Sequence, residues 1–150
     1  MGMVNKQAKR IVEDDIILEI PYSYLLTITN LANPVTLIEA PGPNEIIDIC
    51  SMAWILLASN ETAIDQTTPG ALKVAFGDDS AQKAFETISF SDMFNNGYYF
   101  NYTRVPDAER MAKVGIINKP IKLFYDGEIS DNGAEGKLRV VITYRIIEVI

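Results

Sequence analysis

The sequence predicts an all-β protein, an antiparallel β-sandwich of jelly-roll-like form with one or two short helical insertions. Three observations support this prediction. Several short runs alternate apolar and polar residues with a period of two, which is typical of strands with one buried face. Helical spacing is sparse. Prolines lie at the boundaries of the alternating runs, where a missing backbone N–H costs least: Pro21, Pro34, Pro69 and Pro120.

Three runs carry the alternation most clearly. The run from Leu138 to Ile146 is the strongest, because lysine, arginine and threonine occupy its opposite face. We expect Ile142 and Tyr144 of this run to lie in the core. The predicted apolar faces are Tyr22, Tyr24, Leu26 and Ile28 in the first run, Leu72, Val74 and Phe76 in the second, and Leu138, Val140, Ile142, Tyr144 and Ile146 in the third.

Two segments predict the helical insertions. One follows Asp78-Asp79-Ser80, a plausible capped start, and has helical i, i+3, i+4, i+7 spacing at Ala81, Ala84, Phe85 and Ile88. The other runs from Asp107 to about Val114 and stops at Gly115, a residue favoured at helix C-termini.

Length and charge bound the organisation and the partners. At 150 residues we expect one β-sandwich domain, residues 11–150, preceded by a flexible N-terminal arm, residues 1–10. The formal net charge of −7 opposes binding to a phosphate backbone, so nucleic acid is not an expected direct partner. Neither a signal-peptide pattern nor a membrane-spanning run occurs, which predicts synthesis in a cytoplasm and no membrane partner.

The run from Ile46 to Leu57 breaks the alternation, because both of its faces are apolar and only Asp48 is strongly polar. Something must therefore cover the second face. One candidate cover is the 78–88 segment of the same chain, and the other is a neighbouring subunit. In the second case the candidate interface comprises Ile46, Met52, Trp54 and Leu56, together with the basic Lys6, Lys9 and Arg10 of the arm, which could lie on an acidic neighbour.

The inventory of chemical groups argues against catalysis. The chain has no histidine and no glycine-rich phosphate loop, and its one cysteine, Cys50, lies in an apolar run. Adjacent acids such as Glu13-Asp14-Asp15 are more typical of solvated turns than of acid–base pairs. The acidic, glycine-rich stretch Asp126 to Gly136 could bind calcium, but its spacing fails the EF-hand pattern and favours a plain loop. We therefore expect no catalytic residue, cofactor or metal.

The aromatic stretch Tyr98 to Tyr102 leaves one alternative open. Tyr99 and Asn101 could belong to a ligand surface that binds a sugar, although a core-facing strand explains the pattern more economically. This alternative makes the chain a carbohydrate- or receptor-binding β-sandwich module.

A rigid corner, Ala40-Pro41-Gly42-Pro43-Asn44, separates two apolar runs. The order SYLLTITNLANPVTLIEAPGPNEIIDIC, followed by LKVAFGDD, NKPIKLFYDGE and the terminal GAEGKLRVVITYRII, resembles small β-sandwich structural proteins of tailed bacteriophages. The resemblance covers about Leu25 to Ile147 as an order of elements, with no counterpart for Ser80 to Lys113.

The resemblance implies a jelly-roll-like virion component. It would be an auxiliary or decoration protein of the capsid, or a comparable tail, collar or fibre piece. Such a protein would work as a homo-oligomer, for example a trimer, in contact with other virion proteins such as the major capsid protein. It would be made in the bacterial host cytoplasm and located in the virion.

Overall fold

A computed structural model of the chain describes residues 11–58, 66–68, 70–77, 84–89, 98–103 and 116–148. Almost all of its regular structure is strand, and the only helices in these ranges are single turns at Tyr22–Leu25 (α1) and, of the 3-10 type, at Thr29–Leu31. The strands are β1 (Ile11–Pro21), β2 (Val35–Ile38), β3 (Glu45–Ala58), β4 (Gln66–Thr68), β5 (Ala71–Phe76), β6 (Ala84–Ser89), β7 (Tyr98–Thr103), β8 (Ile121–Tyr125), β9 (Glu128–Ile129) and β10 (Gly136–Glu148).

Two antiparallel four-stranded sheets form the sandwich. Sheet I has the strand order β1-β10-β3-β7, and sheet II has the order β2-β8-β5-β6, while β4 and β9 form a separate two-stranded ribbon. The chain changes sheet at nearly every connection. With the small ribbon set aside, the two orders are those of an eight-stranded jelly roll. The predicted all-β sandwich is therefore confirmed.

One hydrophobic core joins the inner faces of the two sheets. Sheet I contributes alternate residues of β10, and the predicted core positions Leu138, Val140 and Ile142 are all 0% exposed. Tyr144 is only partly buried and packs against the core. The predicted alternation of β5 also holds, because Leu72, Val74 and Phe76 are buried.

The predicted helix over residues 81–88 is wrong, because residues 84–89 form strand β6, which pairs with β5 from Ala71↔Ser89 to Ala75↔Ala84. Pairing with a neighbouring strand outweighs the helical spacing of so short a segment. Phe85, Thr87 and Ile88 are also residue types that favour strands. The second predicted helix, 107–114, lies outside the described residues.

The predicted strand at Tyr22–Ile28 is also wrong. Strand β1 ends at Pro21, and the chain then turns through α1, whose buried residues continue with a spacing of three: Tyr22, Leu25 and Ile28. A spacing of three fits a tight helical turn, and the Leu26 N–H donates to the Tyr22 carbonyl at 3.2 Å. None of the helices in the described ranges is long and apolar enough to span a membrane.

The proline-rich corner carries the chain from β2 in sheet II to β3 in sheet I. Its tight turn is closed by a hydrogen bond in which the Glu45 N–H donates to the Gly42 carbonyl at 3.2 Å. Pro43 occupies the second position, and Asn44 in the third has a φ of +61°. Proline followed by a residue with positive φ is the requirement of a type II turn. The corner therefore fixes the direction in which β3 leaves the turn.

Candidate functional site: the outer face and free edge of sheet I

The predicted interface residues of β3 lie in the core of the single chain. Met52 and Trp54 are 0% exposed, Leu56 is 2% exposed and Ile46 is 6% exposed. The choice of these residues as a contact surface is thus corrected, since none can reach a partner without opening the sandwich. The outer face of the same stretch is formed by Ala53, Ile55 and Leu57, which are half-buried.

A β-bulge at Cys50 explains why both faces of this run are apolar. The β3–β10 register passes from Thr143↔Ser51 directly to Tyr144↔Ile49, so Cys50 is the extra residue on β3 that the register skips. An extra residue reverses the alternation, and the core face changes from Met52 and later even positions to Ile49 and Ile47.

Both faces are covered at the beginning of β3, where Ile46, Ile47, Asp48 and Ile49 are all buried. The segment 116–118 adjoins this stretch, since the Asn118 N–H donates to the Glu45 carbonyl at 2.8 Å. The cover of the second face there is therefore internal to the chain.

The other predicted site residues are those of the candidate ligand surface and of the basic N-terminal arm. The β3–β7 register opposes Tyr99 to Leu56 and Asn101 to Trp54, and directly paired residues of an antiparallel sheet share a face. The side chains of Tyr99 and Asn101 lie outside the described ones, so their role in a ligand surface stays a prediction. Lys6, Lys9 and Arg10 also lie outside the described residues, so their proposed contacts stay a prediction.

Charged residues line the outer face of sheet I between β1 and β10. The Glu19 carboxylate accepts hydrogen bonds from Lys137 Nζ at 2.7 Å and from Arg139 at 2.8 and 3.2 Å. Hydrogen bonds from Lys137 and then Arg139 lower the pKa of Glu19 below its ordinary value of 4.5. Four residues further along the same pair of strands, Thr143 Oγ1 donates to Asp15 at 2.7 Å. These contacts fasten β1 to β10.

A more buried ion pair joins β10 to β3. Arg145 Nε donates to Asp48 Oδ2 at 3.1 Å, and its terminal nitrogen donates to the same oxygen. Asp48 is only 7% exposed, and the hydrogen bonds that Arg145 donates to this carboxylate raise the pKa of Arg145. Because a buried carboxylate is costly unless it is paired, this contact is a structural requirement of the bulged region.

One large apolar side chain interrupts the charged face. Ile17 on β1 is 65% exposed and pairs with Val141, which in turn pairs with Ala53. Ile17 lies between Asp15 and Glu19 on the outer side of an edge strand. Among the residues the structure describes, no strand pairs with the other side of β1.

The acidic stretch after β8 has an internal structural role. Asp126 accepts a hydrogen bond from the Ala71 N–H at 2.8 Å and forms an ion pair with Lys73 at 2.9 Å. Burial alone would raise the pKa of Asp126, but the hydrogen bonds from Ala71 and Lys73 lower it on balance. In the described ranges, no group of three or more Cys, Asp or Glu side chains is placed to hold a metal ion.

Sequence reasoning missed β1, which is the most exposed element of this face. The pattern of its acids, Glu13 to Asp15, is typical of a solvated turn, but these residues lie in a strand that pairs continuously with β10. The sequence feature that could have predicted β1 is the apolar run Ile16 to Leu18, which directly follows these acids. This run is consistent with a strand, but it does not alternate.

Comparison with known proteins gives little. No family model and no curated protein matches the sequence. One similar solved structure is described as the acidic stable capsid structure of Helicobacter pylori bacteriophage KHP30. The likeness covers 93% of this chain and 98% of that chain, with 14% sequence identity and a TM-score of 0.47. A likeness at this level carries no argument about function.

Proposed function

We propose that this chain is a non-enzymatic structural protein of a bacteriophage virion, an auxiliary (decoration) protein of the capsid that works as a homo-oligomer. One observation carries the proposal. The segments that resemble phage structural proteins are far apart in sequence, yet they fold into adjacent strands: β2, β8 and β5 of sheet II, and β10 and β3 of sheet I. The resemblance therefore corresponds to the framework of an eight-stranded jelly roll, an architecture that viral capsid domains use.

The exposed face of the framework suits protein contact. Sheet I presents a broad surface on which Glu19, Lys137 and Arg139 form ion pairs and on which Ile17 is exposed. The type II turn at Pro43 holds β3 at a set angle to β2, and proline supplies no N–H to a stray strand. These features suit a surface that contacts other proteins.

The partners and location follow from this role. The expected partners are other copies of the chain and virion proteins such as the major capsid protein, and the expected location is the virion after synthesis in the host cytoplasm. A net charge of −7 disfavours direct contact with packaged nucleic acid, which is itself polyanionic.

The test is whether the protein binds capsid shells. Purified chain would be mixed with shells assembled from the major capsid protein of the same phage and separated by sedimentation through a density gradient. Saturable co-sedimentation at a fixed ratio to the shell subunits is expected. Absence of the chain both from such shells and, by mass spectrometry, from purified virions of that phage would overturn the proposal.

The alternative role is a carbohydrate- or receptor-binding module of a tail, collar or fibre. Its support is that lectin domains also use jelly rolls. The register of Tyr99 and Asn101, opposite two core residues, gives it no further support. Binding on a glycan array that disappears in a Tyr99→Ala variant, while the fold is retained, would favour this role over capsid decoration.

A further inference from the structure

The free edge of β1 is long, regular and incompletely protected. All its residues from Ile11 to Pro21 pair with β10 without a bulge, and sheet I ends at this strand among the described residues. Natural edge strands are usually short, bulged or marked by lysine, because an open edge can pair with another chain. Here Pro21 blocks pairing at one end and the acidic side chains oppose pairing with another acidic strand, but the strand has no lysine and Ile17 in its middle is 65% exposed.

The charges of this region are strongly segregated along the chain. Strand β1 contains four acidic residues and no basic one: Glu13, Asp14, Asp15 and Glu19. The preceding residues 1–10 contain three basic residues and no acidic one: Lys6, Lys9 and Arg10. A segment with a basic first half and an acidic second half is complementary to itself when two copies run antiparallel.

We propose that two copies of the chain associate through this edge, with residues 4–10 of each copy pairing antiparallel along β1 of the other. The symmetric register is centred on Val12. It places Lys9 of one copy opposite Asp15 of the second, and Arg10 opposite Asp14, and each pair occurs twice because the contact is two-fold symmetric. Opposite charges directly across a strand pair stabilise the pairing.

Other pairings of the same edge are less favourable. Direct pairing of the two β1 strands centred on Ile17 would oppose Asp15 to Glu19 of the second copy, and like charges in that position are destabilising. Folding of a chain's own arm back onto β1 needs a tight turn just before Ile11. The stretch Lys6-Gln7-Ala8-Lys9-Arg10 has no glycine, proline or asparagine to form one.

The second copy of the chain and the edge of β1 are the partner and the surface of the proposed homo-oligomer. The inference rests on the proposed function only for self-association. Formation of the dimer does not require the virion. A dimer that fails to form while the chain still binds capsid shells would overturn the inference alone. A dimer that forms while the chain is absent both from the shells and from purified virions would leave the inference intact and overturn the proposed function.

The experiment is a charge swap on the full chain, read by sedimentation velocity at several protein concentrations. The arm variant is Lys9→Glu/Arg10→Glu, and the strand variant is Asp14→Lys/Asp15→Lys. Each alone brings like charges together, so each should raise the dimer dissociation constant by roughly tenfold or more. An equimolar mixture of the two variants should form a heterodimer, and a chain that carries both pairs of changes should dimerise like the wild type.

The matched control for the strand variant is Glu39→Lys/Asp131→Lys, which makes the same change of net charge as that variant at two exposed acids outside β1 and should leave the dimer unchanged. Circular dichroism checks that every variant is folded. A wild-type chain that remains monomeric would overturn the inference. So would a dimer that withstands both single swaps, or single swaps whose mixture fails to restore it.

Discussion

The adjacent residues Ile142 and Thr143 of β10 face opposite sides of sheet I and give a sharp test of the core. Ile142 is 0% exposed, whereas the Thr143 hydroxyl donates to Asp15 on the solvent side. Ile142→Ala removes three carbon atoms, which at about 0.8 kcal/mol each gives about 2.4 kcal/mol of lost burial. The residual cavity adds to this, so we expect the free energy of unfolding to fall by about 3–4 kcal/mol.

Equilibrium urea denaturation followed by tryptophan fluorescence would measure the change, at one fixed protein concentration because self-association would shift the midpoint. For a chain of this length the midpoint of thermal unfolding should fall by roughly 6–15 °C. Thr143→Ala is the control and should cost less than about 1 kcal/mol, since it removes one exposed hydrogen bond. Equal losses from the two variants, or a larger loss at Thr143, would show that the assigned face of β10 is wrong.

Three further changes test other parts of the fold. Met52→Asp should leave no folded protein in far-ultraviolet circular dichroism, because a carboxylate replaces a fully buried side chain, whereas the neighbouring Ala53→Asp on the outer face should fold. Gly127→Ala should lower the stability by about 1–3 kcal/mol in urea denaturation, because its new Cβ would lie 2.6 Å from both the Thr68 carbonyl and the Tyr125 hydroxyl. Glu19→Gln should remove an acid-sensitive contribution to stability. Since the folded-state pKa of Glu19 lies below 4.5, the unfolded state binds more protons, so the contribution is complete above that pH and is lost as pH falls through the folded pKa. The urea midpoints of the wild type and the variant should therefore differ above pH 4.5 and converge as the pH falls through the folded-state pKa of Glu19.

The parts of the fold that could be predicted are those in which a local pattern and the final environment agree. Buried and half-buried residues alternate in β10 from Leu138 to Ile142 because one face of the strand packs in the core and the other faces solvent. The two environments can therefore be predicted from the residue types. The corner at Gly42 to Glu45 could be predicted for a similar reason, since proline and asparagine specify the turn by themselves.

The parts that could not be predicted depend on neighbours distant in sequence. The helical spacing over residues 81–88 is overridden by pairing with β5, which sequence spacing does not reveal. β1 was missed because its inner face is only half-buried at the sheet edge, so its alternation is weak. The predicted contact residues on β3 face the core instead of a partner, because a β-bulge within an apolar run has no recognisable pattern in the sequence.

The β-bulge supports a further prediction, which concerns deletion of Cys50. The register already passes over Cys50, so its removal would leave Ile49 and Ser51 adjacent and correctly paired with Tyr144 and Thr143. Ile49 would keep its core position and Ser51 its outer one. We therefore expect the Cys50 deletion to fold, with the cost limited to the local twist that the bulge supplies.

Deletion of Ala53, three residues further along β3, is the contrasting control. It would bring Met52 next to Trp54, so one of these two fully buried side chains would have to point out of the core along with every residue beyond it. Circular dichroism and urea denaturation of the two deletions compare the outcomes directly. If both deletions unfold the chain, the bulge is required for the fold. If both are tolerated, β3 can shift its register and the assignment of its inner face to Met52, Trp54 and Leu56 is wrong.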